Sequence, residues 1–239
     1  MIADGFPVSL GHSLIIPRRH VASFFSIDRE EREGLMILLE QTNPQDGQGT
    51  YWEKLRLQLE ATSSAVQQLA AEMNWLMLLC PSNIQASSKR NTIKDAWGWS
   101  GENLPSTALP WLEDSVLRGV GSAGVGYNNH RWRELRDCIN FSLAFKRLSH
   151  DDRAELLGDC WKFGEWLEAI PENDSRQFRH MLVFLLFPDY FERIFGGDDR
   201  ESLLLSFSGV DRARYRSMTS LEIDRTLLRI RGDLREEYK

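Results

Sequence analysis

The stretch SRQFRHMLVFLLF, residues 175–187, decides the fold of this chain. Its first turn is polar, and nearly every position after that turn is apolar. A helix that is apolar on all sides has no face for water and must be surrounded by other elements. The stretch is also too short to span a bilayer. It therefore predicts a central buried helix with the rest of the chain packed around it.

The sequence on both sides of this stretch has a helical pattern. From Thr50 onward apolar residues recur at helical spacing, and no strand-like alternation extends beyond a few residues. Asp151 and Asp152 are expected to cap one helix, and Pro188 is expected at the first position of another. The predicted helices cover residues 51–59, 63–80, 89–97, 109–119, 132–148, 153–157, 161–170, 188–195 and 219–238. The pattern predicts a mainly α chain with an irregular multi-helix domain.

The first fifty residues have a different pattern. NPQDGQGT, residues 43–50, has the composition of a linker and divides the chain into segments 1–42 and 51–239. In the first segment SLIIP, residues 13–17, predicts a short strand ended by Pro17, and a helix is expected after Ser26 or Asp28. The helical domain is thus predicted to follow a short β-hairpin or strand plus helix.

Composition limits the classes of function. The net charge is −6, so any contact with nucleic acid requires a local basic patch. The cysteines Cys80, Cys138 and Cys160 lie far apart without histidines at metal-binding spacing, which predicts buried thiols, no metal site and a reducing cytoplasm. No apolar run is long enough to span a bilayer, so no membrane partner is predicted.

DGFPVSLGHSLIIPRRHVASFFSIDREEREGL, residues 4–35, resembles the central strand and helix of histidine-triad (HIT) nucleotide hydrolases and transferases. The resemblance extends over residues 4–41, and it implies a nucleophilic histidine in a His-x-His-x-His run. No two of the five histidines are separated by one residue, so no catalytic residue and no cofactor are predicted. His12 and His20 are interpreted as strand-end residues of a truncated HIT domain. The matching positions are Gly11, His12, Leu14, Ile15, Ile16, Pro17, Arg18 and His20.

From residue 51 to residue 239 the chain resembles the helical region N-terminal to the motor of McrB-like AAA+ ATPases/GTPases. This resemblance implies an association with modification-dependent DNA restriction, a form of defence. The sequence lacks the phosphate-loop pattern of the motor, because GVGSAGVG, residues 119–126, has no following Lys-Ser/Thr and is interpreted as a turn between helices. The chain is therefore predicted not to be an enzyme. The resemblance depends on LAAEMNWLMLLCPSNI, KRNTIKDAWGWSGE, GVGSAGVGYNNHRWREL, WKFGEWLEAIP and RQFRHMLVFLLFPDYFERI.

Candidate contacts to DNA or to a protein partner lie in HRWRELR, residues 130–136: Arg131, Trp132, Arg133 and Arg136. Arginine clusters bind phosphate through charge and forked donors. More arginines follow in residues 212–235, but interleaved acidic residues favour the alternative of a solvated face with paired charges. Arg176, Arg179 and His180 are expected in capping and internal pairing.

Taken together, these patterns predict a non-catalytic helical interaction or DNA-recognition module of a McrB-like restriction system, without the motor. Its partner would be DNA or another subunit of that system. Three alternatives are a truncated gene product, a degenerate HIT hydrolase or transferase completed by a partner chain, and a homo-oligomerisation scaffold.

Overall fold

The computed structural model of the chain describes residues 29–41, 49–171 and 176–238. These residues are mainly helical, and the only β-type pairing among them is an isolated bridge between Pro81 and Gly121. The predicted hairpin or strand and most of the predicted linker lie outside the described residues. The α-helices are α1 Arg29–Gln41, α2 Tyr51–Leu59, α3 Ser64–Leu78, α4 Ala86–Gly98, α5 Asp114–Leu117, α6 Gly124–Asn129, α7 Arg131–Arg147, α8 His150–Gly158, α9 Cys160–Glu168, α10 Phe178–Leu186, α11 Gly197–Phe207, α12 Arg212–Ser217 and α13 Ser220–Glu237. A 3-10 helix, Ser106–Leu112, precedes α5.

Helix α10 lies in the core, which confirms the prediction of a central buried helix. Its first six residues are all buried, and it packs against α7 and α9. Phe178 lies 6.2 Å from Phe141 of α7, measured between ring centroids. On α7, Leu135 and Ile139 are fully buried. The same core cluster takes in apolar residues of α3 and α9.

Helix α1 is held against the helical body. Leu35 and Leu38 have no exposed surface and belong to the same core cluster as α3 and α7. The helix contacts both of those helices. The prediction that a helix follows Ser26 or Asp28 is confirmed, and its apolar side covers one face of the core.

Capping residues begin several of these helices. Thr50 with Glu53 and Thr219 with Glu222 form capping boxes at α2 and α13. The predicted caps of α8 were wrong, because Ser149 is the cap and its Oγ accepts the N–H of Asp152. Asp152 therefore lies in the first turn of the helix.

Two predicted helices do not form as expected. The 109–119 segment is divided, because Pro110 has no N–H to donate and lies in the 3-10 helix, after which α5 makes a new start. Residues 188–195 form a turn and an irregular segment. The N–H groups of Tyr190 and Phe191 both donate to Phe187 O, and Phe191 then packs 5.3 Å from Trp161 between ring centroids.

The glycine-rich segment 119–126 begins in close contact with the backbone of residues 80–82. Gly119 has φ +78°, and a Cβ atom at this position would lie 2.4 Å from Pro81 O. The N–H of Val120 donates to Cys80 O, and the N–H of Ser82 donates to Gly121 O, both at 2.8 Å. This pairing fixes the segment that leads into α7 against the end of α3.

Among the described helices, none combines the length and the apolar character needed to cross a membrane.

Candidate anion-binding site

A cavity of about 790 Å³ lies where the beginnings of four helices meet. His130 precedes α7, Gln177 precedes α10, Gly197 begins α11 and Ser220 begins α13, and all four residues line the cavity. The N-terminus of a helix carries roughly half a positive charge, so these four ends favour an anion between them. We call this space the arginine cavity, after its lining arginines Arg133, Arg176, Arg179, Arg200 and Arg216.

The arginine cavity concentrates positive charge in a chain whose net charge is negative. Its five arginines face two lining carboxylates, Glu134 and Glu168, among the described residues. A third carboxylate, Asp224, forms an ion pair with Arg200 and is buried with it. Asp137 and Asp224 also stabilise the charge of Arg179, so the excess positive charge lies at the exposed Arg133 and Arg216, where it attracts an anion that enters the cavity.

The two lining glutamates occupy helix N-termini. Glu134 Oε2 accepts the N–H of Phe178 at 2.8 Å, and Glu168 Oε1 accepts the N–H of Leu221 at 2.7 Å. Burial raises the pKa of Glu134, while its backbone hydrogen bonds and Arg176 oppose that rise. The carboxylates thus stand where an anionic ligand would also be stabilised.

Arg179 is the most deeply buried cation of the cavity. Its side chain is 1% exposed, and its Nη2 lies 3.7 Å from Glu168 Oε1, which is longer than a hydrogen bond. Nε and Nη1 of Arg179 have no hydrogen-bond partner among the described residues. A buried guanidinium with open donors is costly and is stabilised by an added acceptor.

His180 lies beside Arg179 on α10 and also lines the cavity. It is 9% exposed, and its Nδ1 has no hydrogen-bond partner within the described part of the chain. Burial lowers the pKa of His180 well below its ordinary value, and the guanidinium groups of Arg200 and Arg179 lower it further. The imidazole is therefore neutral at neutral pH and adds hydrogen-bonding capacity without charge.

Two exposed arginines lie in the wall of the cavity that solvent reaches. Arg133 and Arg216 are both exposed, and neither forms an ion pair with any residue in the ranges that the structure describes. Arg133 lies over the ring of Trp132, with 5.2 Å from its Cζ to the ring centroid. These two side chains are the cavity cations that a ligand from solvent meets first.

The structure places the four predicted contact residues on α7 in different surroundings. Arg131 stacks on Tyr51 and Trp52, at 5.6 and 5.7 Å from the ring centroids, and donates to Asn128 Oδ1. These contacts give Arg131 a structural role. Trp132 and Arg136 are partly buried and do not line the cavity, whereas Arg133 does. The predicted residues His12 and His20 lie outside the described residues.

Several C-terminal arginines are paired with carboxylates, which supports the alternative of a solvated, paired face. The pairs join separate elements of the chain. They are Arg212–Glu201, Arg214–Glu222, Arg225–Glu165 and Arg231–Glu192, at 3.1 to 3.2 Å. Of this C-terminal group, Arg216 alone lines the arginine cavity.

The predicted internal pairing of the 176–180 segment is confirmed in part. Arg176 Nη1 lies 3.9 Å from Glu134 Oε1, and Arg179 pairs weakly with Glu168. The sequence analysis did not identify the cavity that these residues line. The only signal for it was a polar, arginine-containing turn directly before a very apolar helix.

The predicted burial of the thiols is confirmed for Cys80, Cys138 and Cys160, all of which are free and buried. In the described ranges, no group of three or more His, Cys, Asp or Glu side chains is arranged to hold a metal ion. The lining of the arginine cavity, five arginines beside helix N-termini, is suited to binding an anion.

No family model, curated protein or solved structure matches this chain. The resemblances to McrB-like proteins and to HIT proteins remain hypotheses.

Proposed function

We propose that the helical region is a non-catalytic recognition module that binds DNA phosphate through the arginine cavity. In this proposal it serves a McrB-like, modification-dependent restriction system, as the resemblance of residues 51–239 implies. The arginine cavity supplies the local positive patch that an acidic chain needs for such a ligand.

One observation carries the proposal: Arg133 and Arg216 are exposed at a cavity that also contains three inner arginines and four helix N-termini, two of which already hold the carboxylates of Glu134 and Glu168. An exposed ion pair on the protein must be broken before its arginine can bind phosphate. Neither arginine has such a pair with a described residue, so both are available to a ligand. Each phosphate contact releases counterions, which makes the affinity depend on salt.

The test compares two arginines of the same helix. Arg216 and Arg214 are two residues apart on α12 and both are exposed, but only Arg216 lines the cavity. We expect Arg216→Gln to weaken binding of a fluorescent duplex and to lower the slope of log affinity against log salt by about 1. Arg214→Gln makes the same change in net charge and should have a much smaller effect.

The measurement is fluorescence anisotropy from about 50 to about 200 mM salt, the range over which phosphate contacts weaken strongly. Equal losses in the two variants would show that binding reports only the overall charge. No binding at the lowest salt concentration would exclude DNA as the ligand. Methylated and unmodified duplexes, compared at the same salt, test whether recognition depends on modification.

A second candidate function, homo-oligomerisation, is favoured by an apolar cleft at the end of α13. The cleft has a volume of about 470 Å³, and Tyr238 at its edge is 79% exposed. Two copies of the chain would bury this surface against each other. Light scattering over a range of concentrations tests it, and a constant monomer mass would exclude it. The apolar lining residues are Ile194, Leu203, Leu227, Ile230, Leu234 and Tyr238.

The HIT alternative concerns His12 and His20, outside the described residues, and stays a prediction. Incubation with diadenosine polyphosphates tests it. Turnover that disappears on substitution of His12 or His20 would contradict the proposal of a non-catalytic module.

A further inference from the structure

We infer that the arginine cavity receives a terminal phosphate monoester, which replaces the Glu168 carboxylate as the partner of Arg179. The group would belong to the 5′ end of a DNA strand or to a free nucleoside monophosphate. The first source rests on the proposed function, whereas the second does not.

The depth of Arg179 favours a terminal group. Its side chain is 1% exposed, whereas Arg133 and Arg216 are exposed. A phosphodiester inside an intact duplex is flanked by sugars on both sides and reaches only the exposed arginines. A group at the end of a strand can protrude inward. The cavity volume of about 790 Å³ is also within the range of small-molecule sites.

Glu168 marks the position of the expected anion. Its carboxylate lies at the cavity, 3.7 Å from Arg179 Nη2, and its side chain is 24% exposed. At this distance the pair is not a hydrogen bond, so little energy is lost at Arg179, whereas any movement of Oε1 also weakens its 2.7 Å hydrogen bond with the Leu221 N–H. A phosphate monoester carries up to two charges and three acceptor oxygens, against one charge and two oxygens for a carboxylate.

Arg179 also has the donors that such a group requires. Its Nε and Nη1 have no hydrogen-bond partner among the described residues, and neither has His180 Nδ1 beside it. All three atoms are buried, so a phosphate contacts them only after neighbouring side chains have moved. A phosphate satisfies two guanidinium donors at once, in the forked geometry that arginine prefers. The inner wall of the cavity thus provides unpaired donors that a neutral group without acceptor oxygens would leave unsatisfied.

The first experiment compares three duplexes of the same sequence in fluorescence anisotropy. One has 5′-phosphates, one has 5′-hydroxyls, and one has closed hairpin ends and therefore no strand terminus. We expect the 5′-phosphorylated duplex to bind about tenfold more tightly than the other two, the factor typical of one charge-assisted pair. Competition with a free nucleoside 5′-monophosphate, and with the nucleoside as control, distinguishes the two sources of the phosphate.

The second experiment removes the negative charge of Glu168. Glu168→Gln keeps an acceptor for the Leu221 N–H but no longer competes as an anion, so it should tighten binding of the phosphorylated duplex several-fold. Glu165→Gln is the matched control on α9. Glu165 pairs with Arg225 at 3.2 Å and does not line the cavity, so its removal should leave the preference for a 5′-phosphate unchanged.

The outcomes separate the inference from the proposed function. Equal affinity for the three duplexes would overturn the terminal-phosphate inference and leave DNA recognition in place. Binding of the free monophosphate without binding of any duplex would support the inference and exclude DNA. Absence of binding in every arm would overturn both, and weaker binding by Glu168→Gln would overturn the exchange with Arg179. The comparison of the three duplexes uses the wild-type protein, so its result does not depend on whether a variant folds.

Discussion

The buried ion pair between Arg200 of α11 and Asp224 of α13 provides the strongest test of how the cavity is built. Both side chains are almost completely buried, and Arg200 Nη1 also donates to Ile194 O at 3.2 Å. Arg200→Met removes one partner and leaves Asp224 as a buried charge. Burial already raises the pKa of Asp224, and Arg200 is the largest influence that opposes this rise.

Loss of one partner of a buried pair costs about 3–5 kcal/mol, because the remaining charge is uncompensated. For a chain of this size, about 1 kcal/mol lowers Tm by roughly 2–4 °C, so Arg200→Met should lower Tm by roughly 6–20 °C. The double variant Arg200→Met/Asp224→Leu replaces both charges with apolar groups. It should recover at least about 2 kcal/mol of the summed losses. Recovery stays incomplete because the Asp224 carboxylate also stabilises the positive charge of Arg179, and the double variant loses this interaction.

Urea denaturation of the wild type, both single variants and the double variant gives the interaction energy as a double-mutant cycle. Arg212→Met on the neighbouring α12 is the control. Arg212 pairs with Glu201 at 3.1 Å, but its side chain is 72% exposed, so its loss should cost less than about 1 kcal/mol. Additive losses in the cycle, or a loss for Arg200→Met no larger than that of the control, would refute the reasoning.

Three further predictions concern stability. Burial lowers the pKa of His180 in the folded chain, so the unfolded chain binds an extra proton below the ordinary pKa of 6.5. The free energy of unfolding should therefore fall by about 1.4 kcal/mol for each pH unit below 6.5. Urea titrations at several pH values measure this slope, and His180→Gln should flatten it. Gly232→Ala, in open space on α13, should stabilise by about 0.5–1 kcal/mol through helix propensity. Gly164→Ala has the same gain on α9, but its Cβ would lie 2.5 Å from buried Leu221 Cδ1, so it should be less stable than Gly232→Ala by about 1–3 kcal/mol; equal effects would contradict this. Lys89 is buried, its Nζ has no hydrogen-bond partner among the described residues, and burial lowers its pKa to about 8. Lys89→Met should therefore raise the free energy of unfolding by about 1–3 kcal/mol below pH 8. This gain in stability should fade as the pH rises toward 10.5.

Local patterns allowed much of the helical structure to be predicted. Thr219 and Glu222 stand at capping-box spacing before Leu221, Ile223, Leu227 and Ile230, and the helix begins there. Caps and apolar spacing act over a few residues, so they can be identified without knowledge of the fold. Pro188 shows the limit: it suits the first turn of a helix, but the packing of Phe191 against Trp161 holds the segment in a turn.

The site was less predictable, because its parts come from distant positions. Arg133, Arg179 and Arg216 belong to α7, α10 and α12 and meet only after the helices pack. Arg131 looked equivalent to Arg133 in the sequence, being two residues away in one basic cluster. Positions two apart point to different sides of a helix, so one arginine reaches Tyr51 and Trp52 and the other reaches the cavity.

Glu168 connects the stability of the fold with the proposed binding. The same carboxylate oxygen accepts the Leu221 N–H at the start of α13 and lies near Arg179. If the residue served stability alone, Glu168→Gln would lower stability and leave binding unchanged. If the carboxylate occupies the position of the ligand phosphate, the same change lowers stability and tightens binding. A structural role alone does not tighten binding, and Glu165→Gln, which removes the same charge outside the cavity, separates the exchange from a general change in charge.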